Sequence, residues 1–202
     1  MNNTLKIFVK NPEIGKVKTR LAATVGDKEA LKVYYSLLSY TKELVLKVEA
    51  EKEVWYSEFI DTSDLWNNEG FTKKKQEGED LGARMKKAFQ DSFLKDEQAH
   101  VILIGSDCAE LEEDHLKNAF EHLRDTDVVI GPAKDGGYYL VGMSKFLPEL
   151  FEGVRWSTSE VLQQTMEKIK RLSVSYYLLE ALNDVDNSQD WERVRTRITS
   201  ND

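Results

Sequence analysis

The sequence predicts an α/β protein built on a mixed, mostly parallel sheet flanked by helices. Short runs rich in β-branched and aromatic residues alternate with longer segments of helical periodicity, as expected for strands joined by helical crossovers. The run VILIGS at residues 101–106 has the composition of a central strand buried on both faces. A chain of 202 residues can form one domain with a substantial core and is short for two. We therefore expect a single domain over residues 1–202.

The first half of the chain begins with a strand. Residues 5–10 (LKIFVK) predict this strand, and a loop is expected after it. Asp27 is the expected cap of a long helix, because apolar residues then recur at steps of three, four and seven. The residues on that face are Leu31, Tyr34, Tyr35, Leu38, Val45 and Val48. Residues 53–58 and 71–76 predict further strands, separated by a polar loop at residues 61–70.

The second half continues the alternation. Residues 80–94 predict a helix with one apolar face, made of Leu81, Met85, Ala88, Phe89 and Phe93. The other predicted helices cover residues 116–123, 157–171 (capped by Ser157 or Thr158) and 190–198. The other predicted strands cover residues 127–131, 138–143 and 173–179. A short Gly-rich turn joins the first two of these strands, so they are either antiparallel or on two sides of a bend.

Charge and composition exclude several classes of protein. A net charge of −8 argues against binding a nucleic-acid polymer, which needs clustered Lys and Arg, but leaves free nucleotides open. The single cysteine, Cys108, cannot form an intrachain disulfide, and a small buried role is favoured over a nucleophilic one. The three histidines show no zinc-ligand spacing. No apolar run is long enough to span a membrane, so we expect a cytoplasmic protein.

Asp107 follows the most apolar predicted strand. The carboxyl ends of parallel strands frame the ligand crevice of open sheets, and a carboxylate there can bind Mg²⁺ or Mn²⁺. Capping of the next turn explains the residue equally well. A second acidic segment contains Asp184 and Asp186, which would point the same way in an extended chain and could face one metal. Here too helix capping is an alternative, with Asn187 or Ser188 as the cap.

A cationic loop follows the first predicted strand. It supplies Lys16, Lys18 and Arg20, which together with backbone amides could neutralise a polyphosphate, and Lys10 at the end of the strand is a further binding candidate. The loop lacks the upstream glycine and the Ser or Thr of a Walker A motif, and it carries no GxGxxG fingerprint. A solvated basic loop is the alternative.

Two glycine-containing segments are further binding candidates. Gly136 and Gly137 follow Asp135 and could let the backbone approach a ligand, or they could simply form a tight turn. Gln76 and Gly82 flank the start of a predicted helix, where they could meet a nucleobase or only begin the helix.

Six segments in this order resemble the DUF2064 proteins, also described as transferase 1 proteins associated with radical-SAM or selenodomain proteins. The segments are FVKNPEIGKVKTRLA, QEGEDLGARM, GSDCAEL, GPAKDGGYYLVG, RWSTSEVLQQT and DVDNSQDW. The resemblance implies the three-layer, Rossmann-like GT-A fold of the nucleotide-diphospho-sugar transferase superfamily. Family members usually have Pro where this chain has Ala109, and often Thr-Pro at Asn187-Ser188, but no charged ligand is lost.

The resemblance also implies roles for site residues. Asp107 and Asp186, supported by Asp184, would hold Mg²⁺ or Mn²⁺, and the cationic loop would match the phosphate-binding segment of related guanylyltransferases and pyrophosphorylases. Asp135 is the candidate for orienting the acceptor, and Trp156 for packing against it.

The resulting hypothesis is a metal-dependent transferase that uses a nucleotide or sugar-nucleotide donor and a small-molecule acceptor. Nucleotidyl transfer from an NTP and glycosyl transfer from a sugar nucleotide both remain open, with the cationic loop favouring the first. The alternative is a non-catalytic nucleotide-binding or adaptor protein that retains the fold.

Overall fold

The computed structural model describes residues 2–66 and 70–199, and in this part of the chain seven strands form one sheet. The strands are β1 (Asn3–Val9), β2 (Glu51–Tyr56), β3 (Phe71–Lys75), β4 (His100–Ile104), β5 (Val128–Pro132), β6 (Tyr138–Met143) and β7 (Tyr176–Leu178). Their order across the sheet is β3-β2-β1-β4-β6-β5-β7. Only β6 runs antiparallel to its neighbours, β4 and β5. The predicted α/β class and mostly parallel sheet are confirmed, and the open alternative at β5–β6 is settled as an antiparallel pair.

The described part of the chain contains six α-helices. They are α1 (Thr19–Val25), α2 (Asp27–Leu46), α3 (Leu81–Phe93), α4 (Glu113–His122), α5 (Val161–Leu172) and α6 (Ser188–Thr199), with a 3-10 helix at Pro148–Phe151. Each predicted helix is present, whereas α1 was not predicted. None of the described helices has the length and apolar content needed to cross a membrane.

Several helix ends differ from the predictions. Asp27 is the first residue of α2 and does not cap it, because Gly26 occupies the cap position. The helix predicted from Ser157 or Thr158 begins only at Val161, after Glu160. The predicted cap of α6 is confirmed, because Asn187 Oδ1 accepts hydrogen bonds from the amides of residues 189 and 190. Residues 67–69 of the predicted loop 61–70 lie outside the described residues.

The apolar core lies on both faces of the sheet. On one face, α2 and α4 pack against β1 and β4 through residues such as Tyr34, Leu38 and Leu116. On the other face, α3 and α5 pack through Phe89 and Ile169. Tyr35 and Leu81, predicted on buried helix faces, are instead exposed. The resulting three layers leave one edge of the sheet, at the carboxyl ends of β1 and β4, to be closed by loops.

A third cluster joins α1, α2 and α6 beside that edge. Leu21 of α1, Val33 of α2 and Val194 of α6 pack around Val185, whose side chain is buried. Val185 therefore anchors the segment between β7 and α6, and its neighbours in sequence turn toward the loops that follow β1 and β4.

Candidate active site

A cavity of about 570 Å³ opens at the carboxyl ends of β1 and β4. The loop after β1, the loop after β4, the β5–β6 turn, the loop before α5 and the segment before α6 all contribute to its lining. Ligand crevices of open α/β sheets occur at this edge. The predicted site residues that line it are Lys10, Lys18, Arg20, Asp107, Asp135, Gly137, Trp156, Asp184 and Asp186.

Lys18 and Asp107 form an ion pair at the base of this cavity. The Lys18 Nζ atom lies 2.7 Å from Asp107 Oδ2. Lys18 adopts a left-handed backbone conformation, with φ of 47°, at the cap position of α1, which turns the chain inward at this point. Its side chain is only 4% exposed, whereas that of Asp107 is 42% exposed. The carboxylate therefore faces the cavity while the lysine supports it from below.

The charge of Lys18 also controls the protonation of Asp107. Partial burial by itself raises the pKa of Asp107, but the Lys18 ammonium and its hydrogen bond outweigh burial and hold this pKa below its ordinary value. Asp107 is therefore ionised at neutral pH, as a metal or cation ligand must be.

Arg20 and Asp186 form a second cation–carboxylate pair across the same cavity. Arg20 Nη1 lies 3.0 Å from Asp186 Oδ2, and both side chains are largely open to solvent. The cationic loop and the two acidic segments predicted from sequence thus meet in space, with Lys18 and Arg20 each facing one carboxylate.

Asp184 lines the same cavity, and its carboxyl group has a strongly shifted pKa. Burial, which is the largest cause, and the neighbouring Asp107, Asp135 and Asp186 carboxylates together raise the pKa of Asp184 to about 7, against the opposing effect of Lys18. Four carboxylates thus share one cavity. A cation or proton is needed to relieve their mutual repulsion.

The opposite wall of the cavity is aromatic and hydroxyl-bearing. Trp156 packs edge-on against Tyr138, with ring centroids 6.4 Å apart. A Cβ atom at Gly82 would lie 2.1 Å from Trp156 Nε1, so only glycine there allows the indole its position. Ser157 beside it has a left-handed φ of 61°, and its side chain lies in the cavity lining with those of Thr158 and Ser159.

The β5–β6 turn carries Asp135, the candidate residue for orienting the acceptor. Its Oδ1 atom accepts a hydrogen bond from the Gly137 amide at 2.9 Å, which fixes the carboxylate at the cavity edge. Gly136 has φ of 93°, and a Cβ there would lie 2.1 Å from the Ser159 carbonyl oxygen. Gly136 thus allows the turn to pack on the loop before α5, and it does not itself line the cavity.

Three other predicted site residues lie outside the cavity lining. Lys16 is 66% exposed and pairs with Glu13 at 2.9 Å. Gln76 is buried, and its Nε2 atom donates to the carbonyl oxygens of Val9 and Trp55, so it ties strand ends together and does not face a nucleobase site. Gly82 contributes only through the space that it leaves for Trp156.

Tyr34 is a lining residue that the sequence did not identify as functional. Its hydroxyl accepts from the Lys10 amide at 2.8 Å, donates to the Lys10 carbonyl at 3.1 Å and lies 3.3 Å from Ser106 Oγ. Burial raises the pKa of Tyr34, and Asp107 raises it further, so the hydroxyl stays neutral. In the sequence this residue is indistinguishable from the apolar positions of its helix face.

The cavity groups that could coordinate a metal ion are carboxylate oxygens. Among residues 2–66 and 70–199, no three His, Cys, Asp or Glu side chains are arranged as a ready-made metal site. Mg²⁺ commonly binds through one or two carboxylates together with waters and substrate phosphates, and oxygen ligands also suit Mn²⁺. The residues present fit a divalent cation that arrives with a phosphate ligand. Cys108 is buried, which raises the pKa of its thiol, so it fits the predicted structural role.

Comparisons with known proteins agree with this architecture. A family described as "Uncharacterized protein conserved in bacteria (DUF2064)" matches residues 40–158. A candidate nucleotide-diphospho-sugar transferase from Desulfovibrio desulfuricans G20 superposes with a TM-score of 0.87 at 33% identity, over 100% of this chain and 95% of that one.

More distant relatives carry more specific names. The 2-phospho-L-lactate guanylyltransferase of Methanocaldococcus sp. (strain FS406-22) is 24% identical over 182 residues, which are 88% of this chain and 74% of the relative. The inositol-1-phosphate CTP transferase of T. maritima shares the fold, with a TM-score of 0.65 at 16% identity over 98% of this chain and 95% of that one.

The fold and the cavity together define a nucleotide-using transferase with the fold of the nucleotide-diphospho-sugar transferases. Within that class, the chain belongs to the DUF2064 family, as the resemblance of its segments implied.

Proposed function

We propose that this protein transfers a nucleotidyl group from an NTP to a small acceptor, with release of pyrophosphate. The observation that carries the proposal is the meeting of Lys18 and Arg20 with Asp107 and Asp186 in one cavity. Such a set can bind a polyphosphate and its cation together. The positive charges of Lys18 and Arg20 complement the phosphates, and the carboxylates of Asp107 and Asp186 complement the cation. The names of the guanylyltransferase and CTP transferase relatives support the same reaction class.

The metal would be held by Asp107 and Asp186, with Asp184 in support. When bound, Mg²⁺ or Mn²⁺ would supply charge neutralisation at the donor phosphates. Lys18 and Arg20 would bind the β- and γ-phosphates while they still contact the carboxylates. Lys10, directly after β1, adds a third cation to the same lining.

The chain's residues would then stabilise the charge that develops during transfer. A nucleophilic oxygen of the acceptor forms a bond to the α-phosphorus, and the bond from that phosphorus to the oxygen that bridges the α- and β-phosphates breaks. Pyrophosphate leaves with this oxygen. The negative charge that moves to pyrophosphate lies next to Lys18 and Arg20, which are placed before the reaction begins. If the acceptor oxygen belongs to a hydroxyl group, Asp135 at the cavity edge can orient it and accept its proton.

Trp156 forms the proposed acceptor wall. Its indole is fixed by Gly82 and Tyr138, and neighbouring hydroxyl groups of Ser157 and Thr158 can orient polar groups of a ligand lying against it. This side of the cavity is built by different segments from the phosphate side, so donor and acceptor can be held at the same time.

The test is product analysis with each NTP in the presence of Mg²⁺ or Mn²⁺ and candidate phosphorylated acceptors. We expect metal-dependent pyrophosphate release and a new phosphodiester or diphosphate signal in ³¹P NMR, both lost in Asp107→Asn. Glu180→Gln, an exposed carboxylate that pairs with His115, is the matched control and should retain activity.

Two results would count against nucleotidyl transfer. Release of nucleoside diphosphate from a sugar nucleotide, without pyrophosphate from any NTP, would assign glycosyl transfer. Thermal stabilisation by nucleotides that persists unchanged in Asp107→Ala, with no product under any condition, would assign a non-catalytic nucleotide-binding role.

A further inference from the structure

Glu110 joins the two acidic segments of the cavity from outside it. Its carboxylate accepts a hydrogen bond from the Asn183 amide at 2.8 Å. It also accepts from Asn183 Nδ2, at 2.9 Å to Oε1 and 3.0 Å to Oε2. Glu110 follows Asp107 by three residues and Asn183 directly precedes Asp184, so this clamp connects the backbone segments that bear the candidate metal ligands.

Further contacts align the same two segments. The Val185 amide donates to the Asp107 carbonyl at 3.0 Å, and the Cys108 thiol lies 3.5 Å from the Asn183 carbonyl oxygen. At the far end, Asp190 Oδ2 accepts from the amides of Asp186 and Asn187, each at 3.0 Å. The stretch that carries Asp184 and Asp186 is thus held at one end by Glu110 and at the other by the first turn of α6.

The hydrogen bonds of Glu110 act against a repulsion between the two acidic segments, in addition to the ion pairs of Asp107 with Lys18 and of Asp186 with Arg20. Asp107, Asp135, Asp184 and Asp186 line one cavity, and like charges at short range repel each other. That repulsion pushes the segment of Asp184 and Asp186 away from Asp107. The three hydrogen bonds of Glu110 are charge-assisted, which makes them stronger than hydrogen bonds between neutral groups.

We propose that Glu110 is a positioning residue, which sets the distance between Asp107 and the pair of Asp184 and Asp186 so that both sides can bind one divalent cation. The inference rests on the proposed function, because the cation is the one that accompanies the donor phosphates. Glu110 does not line the cavity, so it acts through Asn183 and does not touch the substrate.

The first measurement tests the tether without reference to metal. Hydrogen exchange of the Asn183 and Val185 amides, followed by mass spectrometry on peptides that cover residues 181–187, should accelerate at least several-fold in Glu110→Ala. The Glu110→Gln variant keeps one acceptor oxygen for the Asn183 amide and should show a smaller acceleration. Glu180→Gln, in the same stretch of chain but bonded to His115, should exchange like the wild type.

The second measurement is the affinity for Mn²⁺, determined by electron paramagnetic resonance in the presence of a saturating NTP. Loss of a residue that orients metal ligands commonly weakens metal affinity by about 10- to 100-fold. We expect a loss in this range for Glu110→Ala and a smaller one for Glu110→Gln, with kcat falling more than the KM for the NTP rises.

The outcomes separate this inference from the proposed function. Wild-type protein that binds no Mn²⁺ with any NTP would refute the metal-dependent reaction and, with it, the role of Glu110. Wild-type protein that binds Mn²⁺, together with Glu110 variants whose Mn²⁺ affinity stays within twofold of Glu180→Gln, would overturn the positioning role alone. If Glu110→Ala does not fold, the isosteric Glu110→Gln decides by the same two readouts.

Discussion

The Lys18 ammonium donates a hydrogen bond of 2.7 Å to the Asp107 carboxylate, the residue proposed to bind the metal. The lysine is almost fully buried, and its charge is paired with this carboxylate. Asp107 can therefore bind a divalent cation fully only when Lys18 gains another anionic partner, and the donor phosphates supply one. Metal and nucleotide are expected to bind together.

Replacing Lys18 by Met tests this relationship. Without the competing ammonium, the affinity for Mn²⁺ in the absence of nucleotide should rise about tenfold, equivalent to about 1.4 kcal/mol, while NTP affinity should fall by a similar factor. Isothermal titration with Mn²⁺ alone and with NTP plus Mg²⁺ measures both. Lys16→Met removes an exposed charge of the same loop and should change neither; equal effects of the two variants would show that the loop acts only through its total charge.

Asp107→Asn should abolish metal-dependent turnover in a protein that still folds, although at reduced stability because the buried Lys18 loses its carboxylate partner. The substitution retains size and removes the charge that binds the cation, so we expect kcat to fall by about 100-fold or more. Circular dichroism and thermal unfolding check the fold, and the pyrophosphate assay measures turnover. Turnover that stays within threefold of the wild type would show that Asp107 is not a metal ligand in the reaction.

The Lys6–Glu53 pair predicts how stability depends on pH. Glu53 of β2 is buried between residues of β1 and β3, where it contacts Lys6 and, at 2.9 Å, Lys74. Burial by itself raises the pKa of Glu53, but these lysines outweigh it and lower this pKa to about 2. A lowered carboxyl pKa contributes stability above the ordinary value of 4.5, and this contribution is lost as pH falls toward 2.

Urea unfolding between pH 6 and pH 2 measures that contribution. We expect this carboxyl to contribute about 3 kcal/mol to the pH-dependent loss of unfolding free energy. The double variant Lys6→Met/Glu53→Gln has no titrating pair and should lose correspondingly less over the same range. Parallel pH profiles of the two proteins would contradict the assignment.

The same pair predicts a large effect of a single substitution. Glu53→Gln leaves Lys6 buried beside Trp55 without its carboxylate and should destabilise the protein by about 3–5 kcal/mol. The double variant Lys6→Met/Glu53→Gln should recover much of this loss, because the buried Lys6 charge is gone and Lys74 keeps Asp91 as a partner at 3.6 Å. Denaturant titration at pH 7 compares the three proteins, and a double variant less stable than the single one would refute the argument.

Gly82→Ala should act on the acceptor side of the site. The added Cβ would meet Trp156 Nε1 at 2.1 Å, so the indole must move, at a stability cost of about 1–3 kcal/mol. The KM for the acceptor should rise while NTP affinity is retained. Gly105→Ala, where a Cβ meets no atom within 4 Å, is the matched control for stability. An unchanged KM for the acceptor would show that Trp156 does not contact the acceptor.

The sequence was sufficient to predict the layers and the main charged groups of the cavity. Asp107, Asp184 and Asp186 were candidates because carboxylates after strands in an α/β pattern fall at one edge of a sheet, while capping explained them as well and the family resemblance favoured the metal role. The choice among the loop cations could not be predicted. Lys18 points inward because the backbone is left-handed there, whereas Lys16, two residues earlier, points to solvent.

The roles of residues that act through tertiary contacts also could not be predicted from the sequence. Gln76 sits among polar residues before a helix, but its burial depends on where β1 and β2 end. Tyr34 occupies an apolar helix face, and only the packing of α2 over the loop after β1 brings its hydroxyl to Lys10. Glu110 and Asn183 are 73 residues apart, and no local pattern connects them.

The antiparallel strand β6 has a consequence for how the enzyme's choice of substrate can change. Its hairpin with β5 brings Asp135 to the cavity, and the Gly136 carbonyl accepts a hydrogen bond from the Leu162 amide at 2.8 Å, which joins the hairpin to α5. The hairpin and the loop before α5 are thus joined to each other, and they carry the residues proposed for the acceptor. We expect that exchanging both segments together would change the acceptor and leave the proposed phosphate contacts of Lys18 and Arg20 in place.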